Sequence, residues 1–139
     1  FQRAKENNKM MKVGGLIELI TLDSFADQHG WFESRPSIGF LKIDVEHFEA
    51  EAIEGARKLL GAGLIEYIAM ELKHDHSNDT KTFIVRTLVK EANYELIMHG
   101  NWLGPNEEVT TKYDDWKDLE MDFLNNKFSE NLLFRHKNV

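Results

Sequence analysis

The hydrophobic positions of this chain fall into short continuous runs and longer runs with helical spacing. Ile38 to Val45 is nearly continuous apolar sequence, which is the pattern of a strand buried on both faces. From about His47 to Leu60 the apolar residues recur at helical spacing, and Gly61 follows as the predicted end of the helix. The two patterns predict a strand that leads directly into a helix, whose apolar face consists of Phe48, Ala52, Ile53, Ala56, Leu59 and Leu60.

A second unit of the same kind follows. Leu64 to Leu72 predicts a strand, and apolar positions from Ile84 to Ala92 predict an amphipathic helix. Tyr94 to His99 and Asn131 to His136 predict two more strands. Because strands that alternate with helices are joined by crossovers, we expect an α/β fold with an open, mostly parallel sheet and helices packed on it.

Three further segments carry weaker patterns. Leu16 to Ile20 is a short apolar run that predicts a strand ending near Thr21, and the polar stretch from Asp23 to Pro36 predicts a short helical turn and a loop. The segment from Gly100 to Glu130 is long and acidic, contains Trp102 and Trp116, and separates the last two predicted strands. Its charged residues predict a solvated surface, with a lid or a partner surface as the alternative.

Composition narrows the class of protein. A chain of 139 residues with 42% hydrophobic residues suffices for one core, so we expect residues 1–139 to form part of a single domain. The net charge of −7 opposes binding to nucleic acid or to anionic membranes. Cysteine is absent, which excludes disulfides and thiolate metal sites from this segment. No apolar run approaches the roughly 20 residues of a membrane span, and the default expectation is a cytoplasmic protein.

Polar residues with chemical potential stand where two predicted strands end. Open α/β sheets bind ligands at the carboxyl ends of their strands, which selects Asp44, Glu46 and His47 after one strand and Glu71 after the next. Such groups hold a cation, accept hydrogen bonds from an ammonium group, or act as a general base. The alternative is that Asp44 or Glu46 only caps the following helix.

Lys42 and two histidines complete the polar set. An ammonium group inside a buried strand needs a partner, and Glu71 on the adjacent predicted strand is a candidate for Lys42. His74 and His76 stand near Glu71 and have the residue types of a metal site. Histidines in a polar loop are usually solvated, so we assign no metal ligand there.

The segment from Phe40 to Ala56 reads Phe-Leu-Lys-Ile-Asp-Val-Glu-His-Phe-Glu-Ala-Glu-Ala-Ile-Glu-Gly-Ala. It resembles the most recognisable stretch of the FkbM-like methyltransferases, which runs leucine-lysine-isoleucine-aspartate-valine-glutamate-glycine into a helix that ends near a glycine-alanine pair. Ile20 to Ser24 and Ile68 to Leu72 are similar to the segments that flank that stretch in the family. The resemblance covers roughly Glu18 to Tyr94.

The resemblance implies a three-layer, Rossmann-like methyltransferase sheet of seven strands. The visible strands are then the fourth to the seventh, with the last antiparallel to its neighbours, and the chain is the carboxyl-terminal part of one methyltransferase domain. The glycine-rich cofactor loop is expected to lie before Phe1. The activity implied is methylation of a hydroxyl oxygen on a small-molecule or glycan-like acceptor, with S-adenosylmethionine as donor. Asp44 is then the cofactor-binding residue, and Glu46 and His47 are the catalytic candidates near the acceptor.

His47 departs from the family pattern, which has glycine at that position, so an imidazole stands where close backbone approach or a positive φ is expected. Two other functions stay open. One is a non-catalytic interaction module that keeps this half of the sheet. The other is a metal-dependent hydrolase that uses Asp44, Glu46 and Glu71 around a divalent cation. A sheet that ends at the Ile38 to Val45 strand also predicts self-association.

Overall fold

The computed structural model describes residues 14–101 and 104–139, so Trp102 lies outside the described residues. Its strands are β1 Ile38–Ile43, β2 Ile65–Glu71, β3 Tyr94–Gly100, β4 Glu107–Glu108 and β5 Asn131–His136. Its helices are α1 Leu22–Gln28, α2 Trp31–Ser34, α3 Glu49–Glu54, α4 Arg57–Gly61, α5 Asn78–Val85 and α6 Trp116–Leu124, and α5 continues as a π-helical segment over Arg86–Glu91.

The five strands form one mixed sheet in the order β1-β2-β5-β3-β4. Only the β1–β2 pairing is parallel, so the prediction of a mostly parallel sheet is not confirmed. β5 lies between β2 and β3 and is antiparallel to both, as the resemblance implies for the last strand. Four of the predicted strands are therefore confirmed. The remaining strand of the sheet, β4, was not predicted and is a two-residue strand inside the acidic insertion.

Burial of the sheet is one-sided, and the prediction that the Ile38 to Val45 strand is buried on both faces is wrong for the described residues. Along β5 buried and half-buried residues alternate, with Leu132 and Phe134 on the buried side. In β1 most residues are exposed or half-buried, and 58% of Phe40 is accessible to solvent. β1 is an edge strand of the sheet, and the described residues provide no strand on its outer side. They also provide no second helical layer over the exposed face of the sheet. The prediction of three layers is thus not confirmed here.

The core lies between the sheet and helices α3 to α6. Ile53, Leu59 and Leu88 from the helical layer are almost inaccessible to solvent, as are Ile68 and Phe134 from the sheet. The apolar faces predicted for the two helical segments thus form the core, with one exception. Phe48 is 52% exposed, because it precedes the first turn of α3 rather than lying within the helix.

The helix predicted over residues 47–60 is divided at Gly55 and Ala56 into α3 and α4. Asp23 causes the division from a distance. Its carboxylate accepts hydrogen bonds from the backbone N–H groups of Lys58 at 2.9 Å and Leu59 at 2.8 Å, while its own N–H donates to the Gly55 carbonyl at 2.8 Å. These bonds satisfy the free N–H groups with which a new helix begins, so Asp23 stabilises the start of α4.

The segment before α1 differs from its prediction. Leu16 to Ile20 has no regular secondary structure and is exposed, with 85% of Leu16 accessible, so the predicted strand is wrong. A strand needs a neighbour, and no described strand lies beside this segment. Thr21 then begins α1, because its side chain accepts a hydrogen bond from the N–H of Ser24. The helical turn predicted after Asp23 is confirmed as α1 and α2.

The acidic insertion between β3 and β5 is folded onto the core. α6 contacts α5 and buries Leu119 and Phe123. The carboxylate of Asp122 accepts hydrogen bonds from Lys127 at 2.7 Å and Tyr113 at 2.6 Å, which lowers the pKa of Asp122 below its ordinary value. The charged residues predicted to form a solvated surface are exposed at Asp114, Asp115 and Asp118 and half-buried at Glu120 and Asp122, whereas the apolar residues of α6 pack into the core.

Candidate functional site

Three carboxylates meet where β1 and β2 end. The parallel register pairs Ile43 with Met70, so Asp44 and Glu71 are the next residues along the two strands. Glu46 joins them from the turn after β1, and one carboxylate oxygen from each of the three acids lies within 4.8 Å of the others. The three acids selected by their strand ends are therefore close together in the fold.

Two lysines neutralise much of this charge. The ammonium of Lys73 lies 2.9 Å from Glu46 and 3.9 Å from Glu71, and its hydrogen bond with Glu46 raises the pKa of Lys73 above its ordinary value. Lys42 lies 3.2 Å from Asp44. The prediction that Lys42 is buried is wrong, because 53% of its side chain is exposed on the edge strand. Lys73 was not predicted as a partner of these acids, although its position two residues after Glu71 in the sequence indicates that it can reach the end of this strand.

A cavity of about 300 Å³ adjoins the acids, and its lining shows what it can bind. Asp44 and Glu71 contribute carboxylates, while the floor is mostly aliphatic. Three asparagines also line the cavity, and all three come from β5 or from the insertion that precedes it: Asn101, Asn106 and Asn131. The cavity thus combines an apolar floor with convergent hydrogen-bonding groups, which is typical of a small-molecule site. The amides were not predicted from the sequence, because they lie far along the chain from Asp44.

Helix capping does not explain the strand-end acids. The residue at the N-cap of α3 is Phe48, and no side chain makes a capping hydrogen bond there. Asp44 and Glu46 instead contact the two lysines. The alternative that either acid caps the helix is therefore wrong, and local helix stability gives no reason for these two carboxylates to be present.

His47 lies next to the acids in sequence, but its ring turns elsewhere. Its imidazole packs edge-on against His76, with ring centroids 4.8 Å apart, and neither ring lines the cavity. The prediction of a solvated His76 is wrong, because its side chain is 5% exposed and lies 3.1 Å from Glu49, itself 2% exposed. His74 contacts the Phe128 carbonyl at 2.8 Å. Within the described residues the possible metal-ligand group comprises Asp44, Glu46 and Glu71, without either loop histidine.

The fold is an α/β domain with carboxylates at the ends of neighbouring parallel strands beside a cavity. This position is where α/β domains commonly bind small organic ligands. The described residues contain no helix long and apolar enough to cross a membrane.

The family follows from comparison. The model of the methyltransferase FkbM domain matches residues 16–96, more than half of the chain, and the chain belongs to this family. The resemblance read from Phe40 to Ala56 is thus confirmed. No curated protein and no solved structure matches the chain significantly.

The matched residues run from before α1 into β3 and include all three acids. The structure gives a reason for residues in two of the family's recognisable segments. In the threonine-leucine-aspartate segment before β1, Thr21 caps the start of α1 and Asp23 caps the start of α4. A Cβ atom added to Gly55 would lie 3.3 Å from Thr21, so the glycine of the glycine-alanine pair permits this close contact. By contrast, the cavity amides lie beyond the matched residues.

Proposed function

We propose that this chain contributes to the transfer of a methyl group from S-adenosylmethionine to a hydroxyl oxygen, and that the acceptor is a small molecule or a glycan-like compound. Family membership supports methyl transfer in general. The observation that carries the finer proposal is the convergence of Asp44, Glu46 and Glu71 beside a cavity lined by three amides. Carboxylates and amides hydrogen-bond hydroxyl groups, and a carboxylate can also accept the hydroxyl proton as a general base.

The residues at the cavity fit one end of the cofactor. S-adenosylmethionine supplies an electrophilic sulfonium methyl group when bound. The carboxylate of Asp44 is a third exposed and lines the cavity, so it can accept a charge-assisted hydrogen bond from the ammonium of the methionine moiety in exchange for its contact with Lys42. No described glycine follows a strand in a glycine-rich turn, so the groups that would hold the nucleoside are not identified among these residues. We equate β1, β2, β3 and β5 with the family's fourth to seventh strands on the basis of family membership.

On the acceptor side, Glu46 is the group we assign as general base, with His47 as the second candidate. Proton removal from a hydroxyl requires a carboxylate or imidazole within hydrogen-bond distance of it. Lys73 contacts the carboxylate of Glu46 at 2.9 Å, which helps to position it beside Asp44 and Glu71. The amides of Asn101, Asn106 and Asn131 then orient the acceptor, and orientation is the larger part of catalysis for an in-line displacement.

Methyl transfer is tested directly with tritiated S-adenosylmethionine and a panel of alcohols and mono- and oligosaccharides. Glu46→Gln is expected to lower turnover by about 100-fold or more, the usual contribution of general acid–base catalysis. Glu33→Gln is the control, because Glu33 lies exposed on α2 and belongs neither to the group of three acids nor to the cavity lining. An equal effect of the two substitutions would contradict the role assigned to Glu46. Absence of transfer together with absence of S-adenosylhomocysteine binding even at millimolar concentration would favour the interaction module.

A metal-dependent hydrolase is the second candidate, and the 4.8 Å separation of the three carboxylate oxygens favours it. Against it stand Lys73, which already supplies a positive charge 2.9 Å from Glu46, and Lys42 beside Asp44. Calorimetric titration with Mg²⁺ and Mn²⁺ separates the two functions. Micromolar binding that is lost in Glu71→Gln would support the hydrolase, whereas methyl transfer in the presence of a chelator would exclude a required cation.

A further inference from the structure

The turn after β1 has an unusual backbone. Glu46 and His47 both have positive φ, 48° and 71° respectively, although neither is glycine. Each non-glycine residue in the left-handed region lowers the folding equilibrium constant by roughly tenfold. Two such residues in succession persist only where surrounding contacts hold them. The turn therefore needs a stabilising contact beyond its own hydrogen bonds.

The contacts of this turn lead into the core. The ring of His47 packs edge-on against His76, 4.8 Å between centroids, and His76 Nε2 lies 3.1 Å from Glu49 Oε2. Neither atom of this buried pair has a hydrogen-bond partner among the described residues, since their close approach lacks hydrogen-bond alignment. A buried carboxylate needs a nearby polar or charged group, so Glu49 and His76 depend on each other.

We propose that Glu49 and His76 are positioning residues: the pair holds the ring of His47, and thereby the left-handed turn that brings the carboxylate of Glu46 beside Asp44 and Glu71. The inference rests on the proposed function only for what Glu46 does there. The geometry supports it in three ways. The pair is buried, it contacts the residue next to Glu46, and it connects the turn after β1 to the loop after β2.

A glycine substitution tests the proposal on the 139-residue chain without cofactor or acceptor. In His76→Gln the ring beneath His47 is gone, while an amide remains for Glu49. In that background His47→Gly should raise the folding equilibrium constant by about tenfold, because glycine adopts positive φ freely. His47→Ala should not, since alanine keeps the penalty. In the wild type His47→Gly should change the constant by only a few-fold, because the lost ring contact offsets the relieved backbone.

Denaturant unfolding of the single and double variants gives these constants, and non-additivity is the result of interest. Equal effects of His47→Gly in the wild type and in His76→Gln would overturn the proposal. If His76→Gln does not fold, the same cycle is run with the isosteric Glu49→Gln. If that variant also fails, the wild-type background decides: glycine must be tolerated better than alanine at residue 47, and equal stability of the two overturns the proposal.

A spectroscopic measurement separates positioning from a structural role. The side-chain carboxyl ¹³C resonance of Glu46 should shift in Glu49→Gln and His76→Gln, although neither residue is adjacent to Glu46 in sequence, and should return toward its wild-type position when His47→Gly is added. Glu51→Gln is the matched control, because it makes the same change at an exposed position of α3. A Glu46 resonance unchanged in the folded variants would overturn the proposal, even if their stability falls.

Discussion

Asp44 offers the sharpest test of the proposed cofactor interaction, because its structural and ligand-binding contributions are separable. Asp44→Asn keeps the shape of the side chain and removes its charge. In the folded protein the carboxylate contacts Lys42 at 3.2 Å, with 37% of the Asp44 side chain and 53% of the Lys42 side chain exposed. Ion pairs this exposed contribute about 1 kcal/mol or less, and the side chain caps no helix. We therefore expect the melting temperature to change by no more than about 4 °C.

Ligand affinity should respond far more strongly. A charge-assisted hydrogen bond to the ammonium of the methionine moiety contributes about 1.5 to 3 kcal/mol. Its loss corresponds to a roughly ten- to hundredfold weaker affinity. S-adenosylhomocysteine carries the same ammonium group and is a stable probe, and chemical-shift titration by NMR follows even millimolar binding.

Asp115→Ala is the matched control for this substitution. Asp115 is a true helix cap, since its side chain accepts a hydrogen bond from the N–H of Lys117 at 3.0 Å. Its loss should cost about 1 kcal/mol of stability and leave affinity per folded molecule unchanged. If Asp44→Asn behaves like Asp115→Ala, with lower stability and unchanged affinity, the reasoning about Asp44 is refuted.

Further predictions concern the chain as a whole and two structural residues. The 139-residue chain should bind S-adenosylmethionine more weakly than low-micromolar, and calorimetry showing tighter binding would contradict the assignment of its strands to the second half of the family's sheet. Because no described strand covers the outer edge of β1, sedimentation velocity should reveal dimers or larger species, and a monodisperse monomer with a cooperative melt at high temperature would refute this. Asp23→Ala should destabilise the fold by about 1 to 2 kcal/mol in denaturant unfolding, whereas the exposed Asp27→Ala on the same helix should have little effect. Tyr94→Phe removes the buried 2.6 Å hydrogen bond to the Ile65 carbonyl and should cost about 1 to 3 kcal/mol. Burial raises the pKa of Tyr94 above its ordinary value, so its contribution to stability is full below about pH 10 and falls above it. The alkaline decline in stability should therefore be smaller in Tyr94→Phe than in the wild type.

Sequence patterns determined the elements whose periodicity is local. The bounds of β1, β2, β3 and β5 were predicted within about two residues. Continuous or alternating apolar runs can be recognised in the sequence without knowledge of the neighbouring strand. The strand-end rule then selected Asp44, Glu46 and Glu71, which the fold does bring together. The family could be recognised for the same reason, since its most specific segment is one uninterrupted strand, turn and helix.

Only the tertiary structure decided what depends on residues distant along the chain. Helix α4 begins where it does because Asp23 binds the N–H groups of Lys58 and Leu59, and helical periodicity cannot reveal that break. His76 occurs in a polar loop sequence, yet it is buried because Glu49 and the ring of His47 enclose it. The position of the cavity amides, the contacts of Lys73 and the exposure of one face of β1 also depend on residues distant along the chain. Local sequence fixes periodicity, whereas burial and pairing are set by the segments that the fold brings into contact.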